Sequence, residues 1–150
     1  MNLDRRPAAE ADAEFARALH AACYRDVVIE QFGDWDPALQ AGFFQQKWDE
    51  GGFEIVELDG LAIGVVVPQW RPDDLFVSEI QIDPSHQGRG IGTIVMAELI
   101  AEANRRRLPV RLQVLHRSRA RVWYERLGFV QMGESSTHLL LERFLTTDKV

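Results

Sequence analysis

The sequence predicts an α+β fold, arranged as three layers with helices on the faces of a mixed β-sheet. Three observations predict it. Glu79-Ile80-Gln81-Ile82 and residues 110–114 alternate apolar and polar side chains, the period of strands with two different faces. Residues 10–32 and the stretch from Ile91 to Arg107 instead repeat apolar residues at helical spacing. Between the strand at 79–82 and the helix at Ile91 lies a short stretch that holds Pro84 and two closely spaced glycines, Gly88 and Gly90, which makes a strand–turn–helix unit. The chain has 150 residues, so a single domain spanning residues 1–150 is expected.

Residues 1–6 are read as a short first strand. After Pro7 the helical run places Phe15, Ala18, Leu19 and Ala22 on one face, and Gly33 to Pro37 interrupts it. Asp36 as N-cap and Pro37 as first helical residue open a second helix to about Trp48, which Gly51-Gly52 ends. Residues 53–58, Asp59-Gly60 and residues 61–67 form a hairpin. Residues 68–74 read as a loop holding Trp70. The strand containing Glu79 follows and stops near Pro84, which cannot donate to a ladder. In the long helix Ile94, Val95 and Leu99 share a face opposite Glu98, Glu102 and Arg106. Beyond Pro109 come the strand at 110–114 and a helix N-capped by Ser118, with Ala120, Trp123, Tyr124 and Leu127 on one face and Gly128 as its C′ residue. Residues 129–132 and 137–143 are two closing strands joined across Gly133. The tail after Leu145 is expected to fray.

Hydrophobic residues make up 46% and charged residues 27%, the balance of a folded protein and not of a disordered one. The net charge of −6 argues against nucleic acid or an anionic membrane as partner and is compatible with a cationic substrate. No apolar run approaches the ~18 residues of a membrane span and no signal-peptide core is visible, so the cytoplasm is the expected compartment. The single cysteine, Cys23, lies among apolar helical positions and reads as a buried thiol. His20, His86 and His116 read as surface residues without metal-ligand spacing to Cys23, so no metal is expected.

Gly88, Gly90 and Gly92 sit at a helix start, where free N–H groups and the helix dipole favour an anion such as a phosphate. The glycines alone fit a plain tight turn as well. No Gly-Lys-Ser/Thr follows, so the loop is not a P-loop, and Thr93 stands where a dinucleotide fingerprint needs glycine. The whole string Gln87-Gly88-Arg89-Gly90-Ile91-Gly92, however, satisfies Q/R-x-x-G-x-G/A and resembles the coenzyme A signature of the GNAT superfamily of acetyl-CoA-dependent N-acyltransferases. SRARVWYERLGF, from Ser118 to Phe129, is similar to the second family signature, N-P-A-x-x-x-Y-E-x-L-G-F. The two motifs cover about the second half of the chain.

The resemblance implies a sheet splayed open between the strands around Gln81 and Val114. It implies acetyl-CoA as co-substrate, with pantetheine along Ile80, Gln81 and Ile82 and the pyrophosphate on the amides of Gly88 to Thr93. Arg89 either adds a salt bridge to phosphate or is a solvated surface arginine. Tyr124 matches the family tyrosine that protonates the leaving thiolate, although a tyrosine on an apolar helix face is also ordinary core filling. Ser118 departs from the usual asparagine, reaches less far, and puts a direct cofactor contact in doubt; Arg119 replaces the usual proline.

The reaction needs a base, because a lysine-like amine with a pKa near ~10.4 is almost wholly protonated at neutral pH. Glu79 is the candidate, on the strand face opposite Ile80 and Ile82; a structural ion pair is the alternative reading. His138 is a second candidate for base or substrate orientation, although a lone histidine is more often structural. Tyr24, Trp35, Phe43 and Trp70 are candidates to border the acceptor, with Glu30, Asp34 and Asp36 nearby to favour a cation. The Arg105-Arg106-Arg107 run complements the dipole at a helix C-terminus and needs no nucleic acid. The expected reaction is acetyl transfer to a primary amine of a small molecule in a ternary complex. A non-catalytic acyl-CoA sensor and an enzyme acting on protein N-termini or lysines are the alternatives. A homodimer is a common assembly in the superfamily.

Overall fold

A computed structural model describes residues 2–145; the expectation for the tail after Leu145 lies outside them. The elements run β1 (Leu3–Pro7), α1 (Ala13–Phe32), α2 (Pro37–Glu50), β2 (Glu54–Leu58), β3 (Leu61–Trp70), β4 (Leu75–Ile82), α3 (Ile91–Arg105), β5 (Val110–Leu115), α4 (Arg121–Arg126), β6 (Val130–Glu134) and β7 (His138–Arg143), with 3-10 turns at Glu10–Asp12 and Pro84–His86. The strands form one seven-stranded sheet in the order β1-β2-β3-β4-β5-β7-β6. The β1–β2, β2–β3, β5–β7 and β6–β7 pairs are antiparallel and β4–β5 is parallel, so the sheet is mixed as expected. The parallel ladder pairs only the first two residues of each strand, Leu75 with Val110 and Phe76 with Arg111. No helix among the described residues is long and apolar enough to cross a membrane.

Contacts group the described residues into two compact units, one drawn from Met1–Val67 and Glu79–Gly92, the other from Pro68–Ser78 and Thr93–Val150. In the first, Ala16 and Leu19 of α1 and Phe44 of α2 form one apolar cluster with Phe53, Ile55, Val65 and Val67. Local chemistry sets the helix ends. Gly33 caps α1 at φ 95°, a left-handed conformation that costs glycine nothing. The Asp36 side chain accepts from the amides of Ala38 and Leu39, with Pro37 preset for the first turn of α2. The β2–β3 turn places Asp59 and Gly60 both at positive φ, the requirement of a two-residue hairpin.

In the second unit, α3 buries Val95, Met96, Leu99, Ile100 and Ala103, and β5 and β7 bury Val110, Leu112, Val114, Leu139 and Leu141. Asp74 is 2% exposed and is held by Arg71 at 2.6 Å and Arg111 at 3.0 Å. These guanidiniums keep its carboxyl below the usual carboxylate range.

Five local expectations are corrected. β3 continues through Pro68 to Trp70, because a proline within a strand removes only one donor and Val67 and Pro68 themselves remain buried. The turn falls later, closed by Arg71 N–H on the Asp74 carbonyl at 2.9 Å. On α1 the buried stripe runs through Ala16, not Ala18, and on α3 Ile94 is exposed while Met96 and Ile100 turn inward. Ser118 does not N-cap α4, which begins at Arg121 behind Ala120; its Oγ accepts from the Ala120 amide at 3.2 Å and closes the preceding turn. Gly133 lies inside β6, next to a register shift between Gln131 and Gly133, and the reversal occurs at residues 135–137.

Gly64 marks the closest approach of β3 to β4. A Cβ there would lie 2.7 Å from the Gln81 carbonyl oxygen and 2.8 Å from Ile82 Cδ1. Gly64→Ala should therefore destabilise the protein by ~1–3 kcal/mol, the usual cost of overpacking. The check is a lower urea midpoint at unchanged m-value; an unchanged midpoint would show that the strands tolerate the extra methyl.

Candidate active site

Strand parity points Glu79 and Gln81 of β4 to the same face, and both side chains are buried, at 9% and 5% exposure. Burying a carboxylate requires partners, and three elements supply them. Tyr24 of α1 donates its hydroxyl to Glu79 Oε2 at 2.8 Å. Gln81 Nε2 donates to the same oxygen at 3.1 Å, and Lys47 of α2 donates to Oε1 at 2.5 Å. Glu79, Gln81 and Lys47 line a cavity of about 60 Å³ together with His20, Phe43, Phe44 and Phe53.

His20 is not the surface residue expected. Its ring lies 4.9 Å from Tyr24, 6.2 Å from Trp35 and 6.0 Å from Phe44, and Gln81 Nε2 approaches Nδ1 at 3.5 Å. Burial pushes its pKa down from 6.5, only partly opposed by the Glu79 charge and the Gln40 side chain. The imidazole therefore stays neutral beside the Lys47–Glu79 pair. The position one helical turn before Tyr24 explains its place: residues four apart share a helix face.

At the end of β4 the chain turns through an exposed loop. Gln87 Nε2 donates back to the Ile82 carbonyl at 2.9 Å, and the Cys23 thiol reaches the same oxygen at 3.5 Å. The carbonyl of Ile82 is thus already engaged. Partial burial, reinforced by the charges of Asp83 and Glu79, pushes the half-buried Cys23 thiol up to about 11, so the sulfur stays protonated. Gly88 and Gly90 adopt φ 77° and 79°, while Gln87, Arg89 and both glycines are exposed. A Cβ at either glycine would meet nothing within 4 Å, so backbone conformation and not crowding demands glycine there. Ile91 is buried and anchors the start of α3, followed by Gly92 and Thr93 in its first turn.

In the second unit, Tyr124 is 7% exposed and packs at 4.7 Å from Trp123 and 5.6 Å from Phe129. Trp123 Nε1 donates to Thr93 Oγ1 at 2.9 Å, which ties α4 to α3. His138 Nδ1 lies 2.7 Å from Thr137 Oγ1, and its amide donates to Ser135 Oγ. Trp70 lies under the Arg106 guanidinium at 3.9 Å.

Residues 49–131 match the model of the acetyltransferase (GNAT) domain, more than half of the chain. This protein belongs to the GNAT acetyltransferase family. Over 49 residues it is 37% identical to an L-2,4-diaminobutyric acid acetyltransferase of Nocardia farcinica, covering 31% of this chain and 25% of that one. Over 92 residues it is 35% identical to an uncharacterized N-acetyltransferase of Methanocaldococcus jannaschii, covering 55% and 41%. The chain thus spans well under half of the length of these relatives. Its fold is similar to that of the PaiA N-acetyltransferase of Thermoplasma acidophilum, solved with coenzyme A, at TM-score 0.76 and 14% identity over 96% of this chain and 99% of that one.

Of the residues singled out in this GNAT protein's sequence, Glu79, Gln81 and Tyr24 meet directly, and Trp35 stands next to them through His20. Glu30, Asp34 and Asp36 are exposed, and Asp36 is occupied as a helix cap. Sequence reasoning missed Lys47, His20 and the side-chain role of Gln81. One signal for Lys47 was available: of seventeen basic residues, only Lys47 and Lys149 are lysine.

The depressed His20 pKa carries a sign. A histidine that resists protonation when folded contributes stability above its unfolded pKa of 6.5, and that contribution is lost as the pH falls below it. His20→Gln should flatten this dependence, read as a smaller drop in urea midpoint between pH 7.5 and pH 5.5 than the native chain shows. An equal drop in both would remove His20 as its source.

Proposed function

We propose that this protein transfers the acetyl group of acetyl-CoA to a primary amine of a small molecule, by direct attack in a ternary complex, and that both compact units belong to one catalytic domain. The observation that carries the reading is Glu79: a buried carboxylate facing a small cavity, nine residues ahead of Gly88, the first loop glycine, and engaged by three donors. Two carboxylate oxygens offer about four lone-pair sites, so three donors leave room for one more proton-bearing group. Glu79 takes the proton of the acceptor ammonium, directly or through one water. Tyr24 and Trp35 border the acceptor, and His138 is the second candidate to orient it.

The chain's residues suit the co-substrate. The exposed loop with two glycines at positive φ stands before a helix of 15 residues, whose free N–H groups and dipole favour a diphosphate. Gln87, Gly88, Arg89, Gly90, Ile91, Gly92 and Thr93 would hold that part, with backbone groups of Ile80, Gln81 and Ile82 beside the pantetheine arm. The Gln87 side chain acts by fixing the loop to Ile82 and not by reaching the ligand. When bound, acetyl-CoA supplies an activated acyl carbon. Amides of β4 stabilise the charge that develops on the acyl oxygen. Tyr124 returns a proton to the departing sulfur from an apolar surround, and Ser118 keeps its turn.

A small acceptor is favoured by the size of the cavity, which aromatic side chains wall on one side. A match to an acetyltransferase of a small diamino acid points the same way.

Steady-state kinetics of two variants test the assignments. Glu79→Gln and Tyr124→Phe should each lower kcat by ~10²–10⁴-fold, the range for loss of a general base or acid, while acetyl-CoA binding changes little. Unchanged turnover in either variant, with chemistry rate-limiting, removes that residue from the mechanism.

A further inference from the structure

The cavity beside Glu79 is not simply anionic. Its one carboxylate is already matched by the ammonium of Lys47 at 2.5 Å, with the Lys47 side chain 38% exposed and that of Glu79 9%. A plain amine cation entering there either displaces Lys47, leaving it uncompensated, or sits beside a like charge. The first forfeits the attraction between Lys47 and the buried carboxylate, and the second adds like-charge repulsion. An acceptor with its own carboxylate next to the amino group meets neither difficulty. It exchanges one ion pair for two, ammonium on Glu79 and carboxylate on Lys47, and leaves no charge unpaired.

The residue type at position 47 supports an exchangeable pair. Among the described residues the other ion pairs of the first unit use arginine, as in Arg5–Glu54, Arg6–Asp12 and Arg6–Glu57. Arginine's rigid fork suits pairs that stay closed, whereas lysine is a point charge on a flexible stem that re-aims easily. Lys47 is the lysine among the described residues, and it stands on the one carboxylate that lines the cavity.

We infer that Lys47 and Glu79 together select a zwitterionic acceptor, a small amine bearing a carboxylate close to the amino group, in the manner of a free amino acid. This rests on the proposed acetyl transfer at Glu79. Peptide N-termini fit poorly, because an amide carbonyl stands where Lys47 requires a carboxylate.

The experiment measures acetyl transfer by the full chain to free α-amino and diamino acids, each alongside its carboxamide and its decarboxylated amine. The native protein should prefer the free acid by at least about tenfold in kcat/KM, the scale of one charged hydrogen bond. Lys47→Met should collapse that ratio toward one, chiefly through KM for the acid, and Lys47→Arg should restore part of it. Melting curves establish that the variants fold; if Lys47→Met does not, the ratio is read from Lys47→Gln and from the native protein. Equal or better use of carboxamides by the native protein, or a ratio that survives loss of the ammonium, overturns the inference and leaves the acetyl transfer standing. No transfer to any amine overturns both.

Discussion

The buried carboxylate of Glu79 is the constraint on which the arrangement of the first unit depends. Leaving an ionised group without partners in a poorly solvated site costs several kcal/mol, so the chain must bring donors to it. They come from α1 through Tyr24, from α2 through Lys47, and from β4 itself through Gln81. The apolar cluster of Ala16, Leu19, Phe44, Phe53 and Val65 holds both helices against β2 and β3, but it is not directional. The hydrogen bonds to Glu79 supply the register. They fix which turn of each helix faces the strand, and they leave the carboxylate at the wall of a cavity.

Much of this was legible in the sequence because it depends on short-range chemistry. Asp36-Pro37, Asp59-Gly60, Gly33 and Gly128 all serve as caps or turns where their residue types require. The two signatures around the glycine loop and Tyr124 led to the GNAT family, which the match over residues 49–131 then established. The failures are of another kind. The exposure of Ile94, the run of β3 through Pro68 and the burial of His20 are set by contacts between segments distant in the chain. Lys47 meets Glu79 across 32 residues, and no local pattern encodes that pairing. Only the scarcity of lysine beside so many arginines hinted that position 47 was special.

The electrostatics also change the view of the acceptor. An overall charge of −6 suggested attraction for cations, yet the acidic residues expected near the acceptor are exposed, and one of them caps a helix. The cavity itself holds one positive and one negative group and a histidine that burial keeps neutral. Net charge steers encounter over long distances, but recognition is decided by the pair within reach. The loop at residues 87–90 is exposed and conformationally committed by Gly88 and Gly90, the conformation that the proposed diphosphate site uses.

The central claim is amine-dependent acetyl transfer from acetyl-CoA. Its most direct measurement follows free coenzyme A and N-acetylated product together, by thiol titration and mass spectrometry of one reaction mixture. The account predicts that both appear in equal amounts, only when amine and protein are present. Thiol release that does not depend on amine, or none at all from acetyl-CoA or other short acyl-CoA donors across a broad amine panel, would contradict it.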